Sequence, residues 1–169
     1  PRLALGRNAL AEPVAIDECD DASGFKPNPP ARVWDRHTGP AGKGALKLTN
    51  DTPTENAWAA MPPAPVPGSR KLMLSALARA EAVSGKGIFL RLRPHTFKWD
   101  PQPHVEWADP VESEAVSGNS DWQRITLALE FTEDQKDSLV WIEVVLDGRG
   151  AAWLTDIGVD LQGIEEPAP

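Results

Sequence analysis

Apolar and polar residues alternate along several segments of the chain, which is the pattern of a β-strand with one buried face. In the clearest segment, residues 88–93, Ile88, Leu90 and Leu92 would face a core while Arg91 and Arg93 face outward. Few stretches carry apolar residues at helical spacing without an intervening Pro or Gly. The pattern predicts an all-β protein of about eight or nine strands. The other segments are 45–49, 72–79, 125–131, 140–146 and 153–161, with shorter candidates at 14–17, 56–61 and 105–108.

The segments between these strands are rich in proline and glycine. Residues 62–68 contain four prolines, which remove ladder donors and favour a separator over a central strand. Turn residues recur at 84–87, 117–120 and 147–150, and residues 18–44 form one long early loop. With a long connection over 94–121, the irregular spacing predicts a two-sheet antiparallel sandwich with crossing connections.

Composition and charge narrow the possible partners. The 169 residues, 41 % of them hydrophobic, predict a single domain over 1–169. We expect a folded core over about 13–162, with linker-like ends at 1–12 and 163–169. The net charge of −8 argues against binding nucleic acid through its phosphates. No run approaches the ~18 apolar residues of a membrane span, so none is expected.

Catalytic motifs are missing from the sequence. There is no G-x-S-x-G, and the glycine-rich segment 39–44 does not follow the Walker pattern. His37, His95, His104 and Cys19 have no zinc spacing. Because the sequence cannot show which carboxylates approach one another, paired-carboxylate catalysis stays open, but the protein is predicted not to be an enzyme.

The outward faces of two predicted strands carry the candidate binding chemistry. Arg91, Arg93 and His95 would face outward from one strand, and Trp141 and Glu143 from another. An exposed indole can stack on the apolar face of a sugar ring while charged neighbours bind its hydroxyls. In the alternative interpretation, loops cover this face and the Arg–Glu pairs are cross-strand ion pairs.

Apart from Trp141, the tryptophans divide into two groups. Trp122 and Trp153 lie at or inside predicted strands and are expected in the core or at a sheet corner. The others in loops or short strands either plug the end of the core or form a binding platform. The outward strand faces and these tryptophans together give the predicted ligand-binding residues, which are Trp34, Trp58, Arg91, Arg93, His95, Trp99, Trp107, Trp141 and Glu143.

Carboxylates near both ends of the folded core suggest a cation site. Asp17 and Glu18 follow an early strand candidate, and Asp156 lies in the last strand. The acidic run at 17–21 lacks the spacing of an EF-hand, and such runs are most often solvated loops. Across the edge of a sandwich, however, these carboxylates could supply oxygen ligands to calcium, which takes six to eight of them.

A longer progression of segments resembles a known family. It runs through 42–48, 67–76, 83–93, 121–127, 146–148 and 152–157, and the match extends from about Val14 to Leu161. The order and spacing resemble the galactose-binding-like β-jelly-roll domains, particularly the cellulose- and xylan-binding carbohydrate-binding modules of bacterial polysaccharide-degrading enzymes. The resemblance implies a secreted, non-catalytic jelly roll with a structural calcium, held by Asp17 or Glu18 and by Asp156. The family's early Asn-x-Gly-Phe-Glu phrase is missing here.

The leading hypothesis is therefore a module that binds a neutral or acidic polysaccharide and targets a covalently linked catalytic domain to it. A structural jelly-roll spacer, packed against another domain without a ligand of its own, is the second hypothesis. The third is a small jelly-roll lyase or glycosidase, which would need residues such as Glu143, Arg91 and His95 together in a cleft.

Overall fold

Nine antiparallel strands build the part of the protein that the structure describes, and the all-β prediction is confirmed. The computed structural model describes residues 3–5, 32–65, 69–132 and 138–163. These residues contain no α-helix, only a short 3-10 turn at Pro40–Gly42, and no helix among them could cross a bilayer. The strands are β1 Leu3–Leu5, β2 Arg32–Asp35, β3 Ala45–Asn50, β4 Glu55–Pro65, β5 Ser69–Lys98, β6 His104–Trp107, β7 Val111–Glu112, β8 Val116–Glu130 and β9 Leu139–Gly163.

The two longest strands, β5 and β9, pair along most of their length and bend together. The register between them shifts around residues 81–87 of β5, opposite the glycine-containing segment 147–150 of β9. Gly148 adopts φ 131°, and a Cβ there would lie 1.7 Å from the carbonyl oxygen of Ser84. The segments 84–87, 117–120 and 147–150 were predicted to end strands, and this prediction is wrong. Their glycines bend strands that stay paired on both sides.

This bend divides the strands into two groups around one core. The first half of β5 pairs with β8, and the second half of β9 pairs with β1 and β3, beside which β2 lies. The second half of β5 pairs with β6 and β7, and the first half of β9 pairs with β4. Side chains from both groups form a single buried cluster.

Alternate side chains of the strands form this buried cluster. In β5, Ile88, Leu90 and Leu92 are fully buried, as the sequence pattern predicts. Ile142 and Val144 of β9 are buried in the same cluster. Burial of each such side chain stabilises the fold by about 1.5–3 kcal/mol. The residues between them lie on the opposite face of the sheet.

Several strands extend into segments where none were predicted. Residues Leu3–Leu5 pair with the end of β9 although 1–12 were expected to be linker, and β2 lies inside the predicted early loop. The proline-rich segment continues β4 to Pro65, which is compatible with pairing because, among the described residues, β4 is bonded only to β9. The strand candidate at 14–17 lies outside the described residues.

The predicted long connection over 94–121 is also partly structured. Strand β5 runs through Pro94 to Lys98 and pairs with β6, which overlaps the strand candidate at 105–108. Because Pro94 retains its carbonyl, it accepts a hydrogen bond from Ala108 N at 3.0 Å. The turn between β5 and β6 therefore forms a hairpin.

Candidate functional site

Alternate residues of β5 and β9 form one surface on the side of the sheet away from the core. In the register, Phe89 is opposite Val145, Arg91 opposite Glu143 and Arg93 opposite Trp141. The Nη1 atoms of Arg91 and Arg93 lie 3.6 and 3.5 Å from the Glu143 carboxylate. Arg91, Arg93, Trp141 and Glu143 therefore share one surface, as the alternation predicts. We call it the site face, and it also includes His95, Trp107, Glu55 and Glu112.

Arg91 is held by carboxylates from three neighbouring strands. Its Nε donates to Glu112 Oε1 at 2.8 Å, and its two terminal nitrogens donate to the Glu55 oxygens at 2.7 Å. The side chain is only 13 % exposed. The hydrogen bond to Glu55 is the largest of the interactions that raise its pKa, so the guanidinium stays charged. Because these contacts occupy most of its donors, Arg91 is suited to positioning the carboxylates around it.

The two carboxylates that flank Arg91 are stabilised in their charged form. The hydrogen bond from Arg91 holds the pKa of Glu55 below its ordinary value. A contact from Lys86 is the main cause of the lowered pKa of Glu112, and Arg91 adds to it. Lys86 also lies 4.1 Å from the ring centre of Phe89, which is fully buried beneath the site face. These groups form a closed ionic network.

Glu143 and His95 lie deep in the site face. They are 8 % and 6 % exposed, and among the described residues neither Glu143 Oε2 nor His95 Nδ1 has a hydrogen-bond partner. The ring of His95 lies 4.7 Å from that of Trp107 and 6.4 Å from that of Trp141. Glu143 Oε2 has an ion pair with Arg91 Nη1 at 3.6 Å that offsets its missing hydrogen bond. His95 Nδ1 is therefore the atom at the floor of the site face whose burial without a hydrogen bond costs free energy.

Arg93 and Trp107 form a solvent-exposed cation and indole pair on the site face. The guanidinium carbon of Arg93 lies 4.7 Å from the ring centre of Trp107, within cation–π range. The Arg93 side chain is 42 % exposed and Trp107 is 47 % exposed. An indole and a guanidinium presented side by side combine an apolar surface with free hydrogen-bond donors.

The hairpin between β5 and β6 continues this surface. Phe97 and Val105 are register partners next to the His95–Trp107 pair, and both are exposed. Trp99, at the end of the hairpin, is 75 % exposed, and its ring meets Phe97 edge to face at 4.8 Å. Phe97 and Val105 are not among the predicted ligand-binding residues, and the strand predicted over 88–93 stops before Phe97. The alternation of 95, 97 and 99 could have located Phe97.

The remaining tryptophans lie elsewhere. Trp34 is opposite Leu46 and Trp58 is opposite Val144 in the register, but their side chains are outside the described part of the chain. Trp153 is buried, as predicted, and its Nε1 donates to Asp35 Oδ2 at 3.2 Å. Trp34 and Trp58 therefore remain predicted ligand-binding residues, and Trp153 has a structural role.

The carboxylates of Asp35 and Asp156 lie in two different environments. A hydrogen bond from the Thr38 hydroxyl is the main cause of the lowered pKa of Asp35. Asp156 adopts φ 55°, and its Oδ2 lies 3.4 Å from Arg124 Nη2. The described residues contain no group of three metal-ligating side chains, while Asp17 and Glu18 lie outside them. Of the three predicted calcium ligands, the structure therefore describes only Asp156, and its carboxylate contacts the guanidinium of Arg124.

Comparisons with known proteins find similarity of fold. The sequence matches no protein-family model and no curated protein. A family 30 carbohydrate-binding module has a TM-score of 0.50 at 13 % identity, with 82 % of this chain and 78 % of that chain covered.

Two further solved structures are similar at lower scores. The CBM22-1 and GH10 modules of a Clostridium thermocellum xylanase, complexed with xylohexaose, give a TM-score of 0.48 at 11 % identity. The match covers 82 % of this chain and 26 % of that chain, so this chain spans about a quarter of its length. The family 11 module of the Clostridium thermocellum cellulase Lic26A-Cel5E gives 0.46 at 12 % identity, covering 82 % of this chain and 83 % of that chain. The likeness to the family 30 module shows that the chain has the jelly-roll sandwich fold of that carbohydrate-binding module.

Proposed function

We propose that the protein is a non-catalytic carbohydrate-binding module that binds a polysaccharide on the site face. The observation that carries this proposal is the exposed Arg93–Trp107 pair beside the buried His95 and Glu143 and the half-buried Trp141. The indole offers an apolar surface to a sugar ring, and the guanidinium offers donors to its hydroxyls. Both groups are already positioned by strand pairing, so binding requires little ordering.

The charge of the site face favours a neutral glycan. The three cations in and beside it, Arg91, Arg93 and the neighbouring Lys86, are matched by the carboxylates of Glu55, Glu112 and Glu143. Two of the cations are committed to these partners in short contacts. An acidic glycan would meet no excess positive charge here, and the chain as a whole carries −8.

The same network argues against catalysis. Glu143, Arg91 and His95 do lie on one face, as the lyase hypothesis requires. However, Arg91 is bound by Glu55 and Glu112, and the free Nδ1 of His95 is buried away from solvent. A general acid or base must reach the proton that it transfers. This face is better suited to holding a sugar chain than to cleaving one.

Targeting of a linked enzyme is the proposed consequence of binding. A module that holds a polysaccharide raises the local concentration of an attached catalytic domain near its substrate. This part of the proposal, and the extracellular location that it requires, rest on the sequence resemblance. A structural spacer is the second candidate, because exposed aromatic side chains also suit an interface between domains.

Affinity electrophoresis of the isolated chain tests the proposal. We expect retardation in gels containing xylan, mixed-linkage β-glucan or glucomannan, and none in gels containing polygalacturonate. Arg93→Ala and Trp107→Ala are expected to reduce retardation by about tenfold or more in affinity. Lys71→Ala, at an exposed Lys71–Glu130 pair on the other group of strands, is the matched control and should behave as the parent.

The negative outcomes separate the candidates. Migration unchanged by every polysaccharide overturns the binding proposal and favours the spacer. Retardation by polygalacturonate alone overturns the argument for a neutral ligand. Release of reducing ends from any polysaccharide overturns the non-catalytic assignment.

A calcium ion is part of the proposal as a structural element. Asp17, Glu18 and Asp156 would supply carboxylate oxygens between an early segment and the last strand. The contact of Asp156 with Arg124 joins two half-exposed side chains at 3.4 Å, and such pairs contribute only about 0–1 kcal/mol. A divalent cation can therefore displace Arg124 from this carboxylate.

A further inference from the structure

Apolar exposure in the described residues is concentrated in one place. All of their exposed large hydrophobic side chains belong to the hairpin of β5 and β6: Phe97, Trp99, Val105 and Trp107. A contiguous exposed apolar patch marks an interaction surface more often than scattered residues do. The patch shares Trp107 with the site face, so the two surfaces are continuous.

We propose that this hairpin holds a second stretch of the same glycan, so that the sugar chain lies along β5 and not across the sheet. The inference rests on the proposed function and adds the direction of the ligand and the residues that determine its length. Phe97 and Trp99 become specificity-determining residues. Val105, the register partner of Phe97, completes the apolar surface.

A sugar chain that ran across the strands at Arg91 would meet charged side chains. On one side of Arg91 lies Glu55 of β4, and on the other lies Glu112 of β7, both in direct contact with the guanidinium. Phe89, the nearest aromatic ring in that direction, is fully buried beneath Lys86 and Arg91. Among the described side chains, a sugar ring placed there would meet ion pairs and no exposed aromatic face.

The route along β5 is lined by aromatic side chains. From Trp141 and His95, the rings continue through Trp107 to Phe97 and Trp99. At ~3.3 Å per residue, positions 91 to 97 span about 20 Å along the strand, which is long enough for several sugar units. Lys98 and Glu106 form an ion pair at 3.8 Å, and they occupy the positions of the hairpin that alternate with Phe97 and Val105. The charged pair therefore lies on the opposite face, and the apolar face carries no charge from it. An uncharged patch fits the neutral glycan proposed for the site face.

The orientations of the aromatic rings favour one kind of polysaccharide ligand. The planes of the exposed rings of Phe97 and Trp99 are 74° apart. Rings at such an angle cannot both lie flat on a crystalline sheet of parallel sugar chains. They can contact successive units of a single twisted chain from different sides. The structure therefore points to soluble or amorphous polysaccharide as the ligand.

Calorimetric titration with oligosaccharides of two lengths tests this inference. The probes are the trisaccharides and hexasaccharides of xylose, β-1,4-linked glucose and β-1,4-linked mannose. Trp99→Ala should weaken binding of the best hexasaccharide by about fivefold to tenfold and change binding of its trisaccharide by less than about twofold. Trp99→Phe should retain most of the hexasaccharide affinity. Arg93→Ala, within the site face, should weaken both lengths. Trp99 is so exposed that its replacement leaves folding intact.

Each other outcome overturns the inference in a distinguishable way. If the parent protein binds no oligosaccharide, the proposed function fails with it. If the parent binds but Trp99→Ala binds both lengths as the parent does, or loses both equally, only the hairpin assignment fails. Loss of a dimer in sedimentation, with unchanged sugar binding in Trp99→Ala, would assign the patch to a second copy of the chain. Retention on crystalline cellulose that depends on Trp99 would overturn the argument for a twisted chain.

Discussion

Arg91 determines the arrangement of the site face at the scale of single residues. Its guanidinium contacts three carboxylates, of which Glu143 is the most buried. A carboxylate below 10 % exposure needs a nearby cation, because desolvation penalises its charge. The five donors of arginine can serve several acceptors at once, whereas a lysine ammonium in the same place could not reproduce the bidentate contact with Glu55.

We therefore expect Arg91→Ala to destabilise the fold strongly. Removing one partner of a largely buried ionic network leaves uncompensated charge, which costs about 3 kcal/mol or more. Urea unfolding measures the loss as a lower midpoint. Lys71→Ala, at the exposed Lys71–Glu130 pair, is the matched control and should cost at most about 1 kcal/mol. Equal costs for the two variants would show that Arg91 is not a positioning residue.

At the scale of the strand, paired glycines allow β5 and β9 to bend together. Gly85 and Gly148 approach so closely that a Cβ on Gly85 would lie 2.9 Å from the Gly148 Cα. Both have positive φ. The bend brings the second half of β5 beside β6 and β7, and so forms the site face.

Gly148→Ala should therefore lower the stability of the fold by more than the backbone strain of its positive φ alone would. Its Cβ would collide with the Ser84 carbonyl oxygen at 1.7 Å, in addition to the backbone strain. Gly118 also has positive φ, but nothing lies within 4 Å of its Cβ position, so Gly118→Ala should cost only about 1–2 kcal/mol. Thermal unfolding compares the two variants. A similar drop in Tm for both would contradict the role of close strand contact at the bend.

The strands also show how far a sequence pattern can reach. Alternation located the core-facing positions of 88–93 and 140–146, because one apolar face against a core is a local property. It did not show that Phe89 and Val145, on the other face of the sheet, are also fully buried. It did not locate the extension of β5 through Pro94 or of β4 to Pro65, because both depend on which neighbour each strand pairs with. Turn residues inside β5 and β9 were interpreted as ends of strands, since a bend and a reversal use the same glycines.

At the scale of the whole molecule, the candidate site was predictable in part. Placing Arg91, Arg93, Trp141 and Glu143 on one surface required only two adjacent strands with matching alternation. The contributions of Glu55 and Glu112 were not predictable, since they arrive on β4 and β7 from distant parts of the sequence. These two carboxylates change the interpretation of Arg91 from a ligand-binding group to a positioning one.

The proposed calcium ion also belongs to this scale, since its ligands come from both ends of the folded core. A ligand that binds only the folded state stabilises it, by about 2.7 kcal/mol at a concentration of one hundred times its Kd. We therefore expect EDTA to lower the Tm and added calcium to restore it. Magnesium should restore less, because it prefers a smaller octahedral set of ligands.

Two variants at the last strand connect this effect to Asp156. Asp156→Asn should abolish the response of the Tm to calcium, because it removes a charged oxygen ligand. Arg124→Gln should strengthen the response, because it removes the cation that now contacts the Asp156 carboxylate at 3.4 Å. If EDTA leaves the parent Tm unchanged, Asp156 is not a calcium ligand. The contact with Arg124 would then be its role, as an ion pair between β8 and β9.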